Sequence, residues 1–311
     1  MQRLTENKII LVIRRTRLED LIARFNTIGQ AKFYIESLGA DFSDYEVEHA
    51  AYKAALAETE HRLLMLGRVQ VLDRFFLPNF IFGPDDTVVV LGQDGLVANT
   101  LKYLTTQPVV AINPDPSRWD GVLLPFRVGD AARIVAEVFT RNRKMREITM
   151  AKASLNNGQI LYGVNDLFIG HRSHVSARYQ MRIGERQEQH SSSGIIVSTG
   201  LGSTGWLKSI LAGARGIGAA LGTNMGNAEL EDFRWESDYL YYTVREPFPS
   251  KSSEASLVFG KISAKKPLQL VSQMPENGVI FSDGIEADYL EFNSGTQATI
   301  TTAEKKGRLV I

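Results

Sequence analysis

Thr87-Val88-Val89-Val90-Leu91-Gly92-Gln93-Asp94-Gly95 is the stretch whose reading decides the fold. The run Thr87–Leu91, with three consecutive valines at its centre, marks a strand buried on both faces of a parallel sheet rather than an alternating, half-wet one. It stops at a glycine-flanked acid, and Val97 to Leu104 then resumes with helical spacing. Strand, glycine loop and helix form the unit with which open α/β sheets present ligands at their carboxyl edge. Glycines there let the backbone approach a phosphate, and the helix start offers unpaired amides. Asp94 sets a carboxylate where it can take a proton from a substrate hydroxyl. Asp-Gly is also among the commonest turn dipeptides, so by itself the segment reads first as a plain turn.

Working outward, Lys8–Ile13 is a second buried strand, and Leu18 to Leu38 reads as one helical stretch with a stripe of Leu18, Leu21, Ile22, Phe25 and Ile28. Glu46 to Leu66 is helical, and Val69–Leu72 is a short strand. Downstream, Pro108–Ile112 is a strand and Asp130–Phe139 a helix. Such alternation predicts an α/β domain with a parallel sheet and helical crossovers. Beyond Arg146 the character changes to short runs with polar turns: Ile148–Leu155, Ile160–Ile169 after the Asn156-Asn157-Gly158 turn, Arg178–Ile183 and Ile195–Ser198. Tyr239–Val244, Ala255–Phe259, Leu268–Val271, Val279–Phe281 and Ala298–Thr301 continue the series. They predict a mainly antiparallel β domain. The expected division is 1–145 and 146–311, with the C-terminal stretch packing back on the first domain.

Composition narrows the function classes. Across 311 residues, Lys+Arg and Asp+Glu balance at 35 each, so no overall field steers the chain toward nucleic acid or an acidic membrane. Any anionic ligand must be held by local amides and side chains. Cysteine is absent, which removes disulfides, thiolate chemistry and thiolate-bound metals. The polar start Met1 to Lys8 and the lack of a long apolar window lead to an expectation of no membrane span and a cytoplasmic protein.

Two further segments carry polar groups where a plain fold does not need them. Asn165-Asp166 interrupts the apolar pattern Tyr162–Ile169, and adjacent strand residues point to opposite faces, so one of the pair faces inward unless the strand ends there. An inward Asn or Asp needs hydrogen bonds, which a ribose or adenine supplies, whereas a bulge or strand end leaves it solvated. Ser198 to Trp206 is a Gly/Ser/Thr turn leading into a helix through Leu207–Leu211, in which Ser203 or Thr204 can cap the helix or leave room for a ligand. Trp206 stacks on a base or packs internally, with nothing in the sequence to choose between them.

In order and spacing, Gly92–Gly95, Asn165-Asp166 and Gly202-Ser203-Thr204 resemble the three motifs of the NAD kinase family. The likeness is closest to the mitochondrial-type branch, through Ile112-Asn113-Pro114-Asp115-Pro116, Val164–Gly170, Ser176-Ala177-Arg178-Tyr179, Ser192-Ser193-Gly194, Gly202–Trp206, Arg245-Glu246-Pro247 and Ser282-Asp283-Gly284. The resemblance implies a two-domain fold and phosphoryl transfer from ATP, or polyphosphate, to the 2′-hydroxyl of the adenosine ribose of NAD. Asp94 would be the base, and Gly92, Gln93, Gly95, Asn113, Asn165, Asp166, Gly202, Ser203, Thr204, Gly205 and Trp206 would line the nucleotide sites. Mg²⁺ would arrive with the donor phosphates, without a protein metal cage. A homodimer is implied by resemblance only.

The sequence departs from that pattern at Gln93 and Leu201, which stand where a glycine and a threonine are usual, and at Leu96, where a threonine usually follows. These departures keep two alternatives open: a non-catalytic NAD(P) sensor, and a related kinase for a lipid or sugar hydroxyl. Gly213, Gly216, Gly218 and Gly222 follow no strand and read as a mobile or close-packed segment. His171 and His174 read as a weak metal pair, and Arg141, Arg143, Lys144 and Arg146 as a solvated linker.

Overall fold

A computed structural model describes residues 5–223, 230 and 232–311. The first four residues of the polar start lie outside that set. The chain divides into two compact units, Met1–Arg146 with Arg308–Ile311, and Glu147–Gly307.

Unit 1 contains β1 (Lys8–Ile13), α1 (Arg17–Phe25), α2 (Ile28–Ser37), α3 (Ser43–Leu64), β2 (Arg68–Asp73), β3 (Thr87–Leu91), α4 (Asp94–Leu101), β4 (Pro108–Asn113), β5 (Phe126–Arg127) and α5 (Ala131–Phe139). Its strands lie in the order β2-β1-β3-β4, each pair parallel. The outer edge of β4 is shared, with Arg308 and Leu309 pairing with its start and β5 with its end. All five residues of β3 are buried. Leu63 of α3 and Ile134, Val135 and Val138 of α5 pack on Ile9, Leu11, Val89, Leu91, Val110 and Ile112, each large aliphatic adding roughly 1.5–3 kcal/mol. Because β2 and β3 flank β1 on opposite sides, the carboxyl ends of β1 and β3 form a topological switch point, the usual ligand crevice of such sheets.

The single helical stretch expected over Leu18–Leu38 is two helices. Asn26 closes α1 in the left-handed region at φ 67°, and Thr27 caps α2 by accepting the Gln30 amide. A capping box of Thr16 and Glu19 opens α1. Of the expected stripe, Leu18, Leu21, Ile22 and Phe25 join one small cluster with Ala31, Ile35 and Phe42, whereas Ile28 opens the second helix exposed to solvent.

Among the described residues, unit 2 is a β-sandwich with one α-helix. It comprises β6 (Met145–Leu155, entering from unit 1), β7 (Ile160–Gly163), β8 (Asp166–His171), β9 (Ala177–Ile183), β10 (Arg186–Ser192), β11 (Ile195–Ser198), α6 (Trp206–Ala220) and β12 (Tyr239–Val244). β13 (Phe259–Ser263), β14 (Leu268–Ser272), β15 (Gly278–Ser282), β16 (Ile285–Glu291) and β17 (Gln297–Val310) complete it, the last running on into unit 1. One sheet has the order β10-β9-β14-β17, with β6 pairing β17 and β7; the other is β13-β12-β11-β8-β15-β16. Tyr179, Met181, Leu268 and Ile300 of the first face Leu167, Ile169, Val197, Leu240 and Ile280 of the second in one core. α6 covers the far side of the second sheet, where Trp206 and Ile210 pack with Phe168, Ile196 and Val279.

Three strand expectations change in unit 2. Ile160–Ile169 is two strands in different sheets, broken between Gly163 and Asp166. The strand expected at Ala255–Phe259 lies at Phe259–Ser263, set by its register on β12. β10, the polar run Arg-Gln-Glu-Gln-His-Ser-Ser, is a full antiparallel partner of β9. The expected mobile or close-packed glycine segment is helical through Gly213, Gly216 and Gly218, with Gly222 just past its end. Among the described residues no helix is long and apolar enough to cross a membrane.

Candidate active site

The glycine loop belongs to unit 1. Asp94 is the first residue of α4, and Gln93 caps the helix with extended backbone at φ −123°, ψ 165°. Gln93 therefore costs the loop nothing in backbone strain, although a glycine is usual there. At Gly92 a methyl group would meet the Cδ2 end of the Leu96 side chain at 2.7 Å, a contact that side chain can relieve by shifting. Gly95 has no such neighbour: nothing lies within 4 Å of an added Cβ, and the residue is exposed. The Asp94 carboxylate is aimed by the 121–124 turn, its Oδ1 accepting the Leu123 amide at 2.8 Å and its Oδ2 the Val122 amide at 3.2 Å. Each oxygen keeps a second lone pair.

Behind the loop, Tyr52 of α3 staples the switch point. Its hydroxyl donates to the Leu91 carbonyl at 2.9 Å and accepts the Arg14 amide at 3.1 Å, joining the ends of β3 and β1. Burial raises the Tyr52 phenol to about 12, so it stays a neutral donor. Arg14 Nη2 pairs with the buried Glu48 at 2.9 Å. Asn113 is also buried, with its side chain spent on its own loop: Nδ2 donates to the Trp119 carbonyl at 2.9 Å and Oδ1 accepts the Asp115 amide at 3.0 Å.

In unit 2 the structure brings Asn165-Asp166 together with the Gly-Ser-Thr segment. The chain turns a corner at 164–166 as it leaves β7 for β8, and two groups hold that corner from opposite sides. Thr199, fully buried, donates its amide to the Asn165 carbonyl at 2.9 Å. Its hydroxyl donates to the Val164 carbonyl at 2.6 Å and accepts the Gly202 amide at 3.1 Å. Gly202 lies so close that a methyl group would sit 2.0 Å from the Asn165 carbonyl oxygen. From the other side, the Asp283 carboxylate accepts the amides of Val164, Asn165 and Asp166 at 2.6–3.3 Å.

The backbone of the corner is thus consumed by the fold while its side chains are not. Among the described residues, nothing hydrogen-bonds the half-buried Asn165 amide group or donates to the buried Asp166 carboxyl. Burial, and after it the Asp283 charge, push the Asp166 carboxyl up to about 7.

Ser203 does not cap α6, and neither does Thr204. The Ser203 hydroxyl turns back to the Gly200 carbonyl at 2.8 Å, Thr204 is exposed, and Gly205 occupies the cap without a side-chain bond. Trp206 packs internally, stacked 6.0 Å from Phe168 with the rings 6° apart, and the Arg245 guanidinium lies over its ring at 5.5 Å. Leu201 is buried in the turn. His171 is spent locally on Ser173, and Arg143 pairs with Glu137. Sequence reading assigned no role to Thr199, Asp283 or Tyr52. Thr199 and Asp283 act on residues far along the chain, and the one local signal was the Asp-Gly dipeptide of a hairpin turn.

No family model matches the sequence, and no curated protein matches it. Solved structures do. Yeast NADH kinase complexed with NADH superposes over 98% of this chain and 84% of its own, with a TM-score of 0.58 at 14% identity. An NAD kinase from Archaeoglobus fulgidus in complex with ATP superposes over 98% of this chain and 93% of its own, with a TM-score of 0.54 at 14% identity. At that identity the likeness is one of fold. The chain has the two-domain NAD kinase fold, an α/β domain with a parallel sheet followed by an antiparallel β domain.

Proposed function

We propose that the chain is a phosphotransferase of the NAD kinase type. It moves the γ-phosphoryl group of ATP to the 2′-hydroxyl of the adenosine ribose of NAD or NADH. The bond from the 2′-oxygen to phosphorus forms, the bond from phosphorus to the β,γ-bridging oxygen breaks, ADP leaves, and the hydroxyl proton passes to Asp94. The observation that carries this reading is the corner of unit 2, where Asn165 and Asp166 keep polar side chains that the fold leaves without hydrogen-bond partners among the described residues. A dinucleotide offers hydroxyls, ring nitrogens and a carboxamide to such groups.

The glycine loop supports the same reading. Gly95 leaves open space beside the start of α4, where Gln93 caps without a side-chain bond and the amide-rich end of a helix suits a phosphate. Phosphoryl transfer depends on positioning and charge neutralisation more than on covalent chemistry, so Mg²⁺ enters as part of the ATP substrate. The ordered sequence motifs support a kinship with the mitochondrial-type branch. A second reading, a dinucleotide-binding protein without turnover, is favoured by one observation: both Asp94 oxygens already accept backbone amides.

An assay for NADP and NADPH formation on the purified protein separates the two. Supplied with NAD or NADH and either Mg-ATP or polyphosphate, the kinase forms a 2′-phosphorylated dinucleotide. Tight dinucleotide binding by calorimetry with no product from any donor would instead support the binding protein.

A further inference from the structure

We infer that Asp283 is a positioning residue for Asn165 and Asp166, holding the backbone of their corner so that both side chains face a ligand rather than the fold. The inference rests on reading that corner as the dinucleotide subsite.

Asp283 and Gly284 form the two-residue turn of the β15–β16 hairpin, at φ 54° and 71°, with Ser282 paired to Ile285. Both residues in the left-handed region make this the primed turn that suits a tight hairpin, and Asp-Gly is among the dipeptides that favour it. Because β15 also pairs with β8, Ser282 opposite Leu167, the turn arrives beside Asp166. The Asp283 amide donates to the Asp166 carbonyl at 3.1 Å. Its carboxylate gathers three consecutive amides, those of Val164, Asn165 and Asp166. Successive amides converging on one point make a nest for an anion, and in this corner the protein supplies the anion itself. Without it, these amides would have to take their hydrogen bonds from the neighbouring side chains or from the ligand.

The same carboxylate places a negative charge beside a second, buried acid. Asp283 is the charged group whose field acts on Asp166, while β11 faces it with Ser198 and β15 contributes Ser282 beyond the turn. With the Asp166 carboxyl lifted to about 7, the corner offers a hydroxyl donor below neutral pH and a carboxylate acceptor above it. A scaffold residue without this field would hold the backbone but leave that change of polarity where burial alone puts it.

The test uses the whole chain and the variants Asp283→Asn and Asp166→Asn. Asparagine keeps the turn and one acceptor oxygen but removes the charge. Carbon-13 carboxyl NMR, with Asp166 identified by its loss in D166N, is expected to give a midpoint near 7 in the parent and a lower one in D283N. Where NAD or NADH binds, the inflection of Kd against pH moves down with it, and D166N abolishes it. An unchanged carboxyl midpoint in D283N, with the Val164 and Asn165 amides exchanging no faster than in the parent, overturns the inference. If D283N does not fold, hydrogen exchange on the parent decides: protection of the Val164 and Asn165 amides comparable to the core strands supports the clamp, and loop-like exchange overturns it. The carboxyl titration and the exchange experiment need no dinucleotide. A failure to bind NAD or NADH therefore removes the proposed function without touching the clamp.

Discussion

Two glycine-rich segments invite the same reading in the sequence, and their environments are opposite. In the loop of unit 1, Gly95 is exposed with nothing within 4 Å of a would-be side chain, and Gln93 sits in ordinary extended backbone. In unit 2, Gly200 and Gly202 are pressed against other backbone, where a methyl group would lie 1.7 Å from the Arg234 carbonyl oxygen and 2.0 Å from that of Asn165. The first segment lacks side chains where there is room for a ligand. The second lacks them because two pieces of chain touch. A motif search weighs the two segments alike, but only the second is demanded by the fold.

Substitutions put that contrast at risk. The largest effect is expected at Gly202→Ala and Gly200→Ala, where backbone must move. Each should cost more than about 4 kcal/mol in denaturant unfolding or abolish the folded β unit. Next comes the pH dependence of the same corner. The Asp166 carboxyl is raised from 3.8 to about 7 in the folded chain, so between those values the native state holds a proton that the unfolded state has released. Its stability contribution is present at low pH and is lost as pH rises through that window, by about 4 kcal/mol at most. Unfolding at pH 5 and pH 8 should show the loss, and D166N should flatten it.

A smaller effect is expected at Thr199→Val, which removes the hydroxyl that joins Val164 to Gly202 and should cost about 1–3 kcal/mol. Smallest is Gly95→Ala. With open space and helical backbone it should leave stability unchanged or raise it by up to about 1 kcal/mol. Turnover should nevertheless fall, because the methyl group enters the space proposed for the donor phosphate. A loss of stability at Gly95 matching that at Gly202 would erase the distinction.

Much of unit 1 was legible because its strands β1, β3 and β4 are almost wholly apolar and buried. Thr87–Leu91 and Lys8–Ile13 have one reading, and the sheet follows from alternation. What escaped was local punctuation: Asn26 and Thr27 end one helix and begin another, which turns Ile28 out to solvent and moves the buried face to Ala31 and Ile35. In unit 2, β10 was unreadable because an edge strand carrying Arg186, Gln187, Glu188, Gln189 and His190 is polar on both faces in sequence. Two of its three buried residues, Glu188 and His190, bond each other at 3.1 Å. The break at Asn165 left the strand pattern intact on either side, so the sequence could not separate a strand end from an inward polar pair. The structure makes it a strand end whose side chains keep no partner among the described residues. The clamp by Asp283 joins residues more than a hundred positions apart, a relation that periodicity and turn chemistry cannot reveal.

The most direct measurement follows turnover and dinucleotide binding in a single preparation of Asp94→Asn. Asparagine keeps an acceptor for the Leu123 amide but cannot take the hydroxyl proton. With Asp94 as the base, 2′-phosphorylation of NAD or NADH should fall by about 10²–10⁴ while the dinucleotide Kd, proposed to be set by the corner of unit 2, is unchanged within about threefold. Full turnover in that variant would refute the role assigned to Asp94.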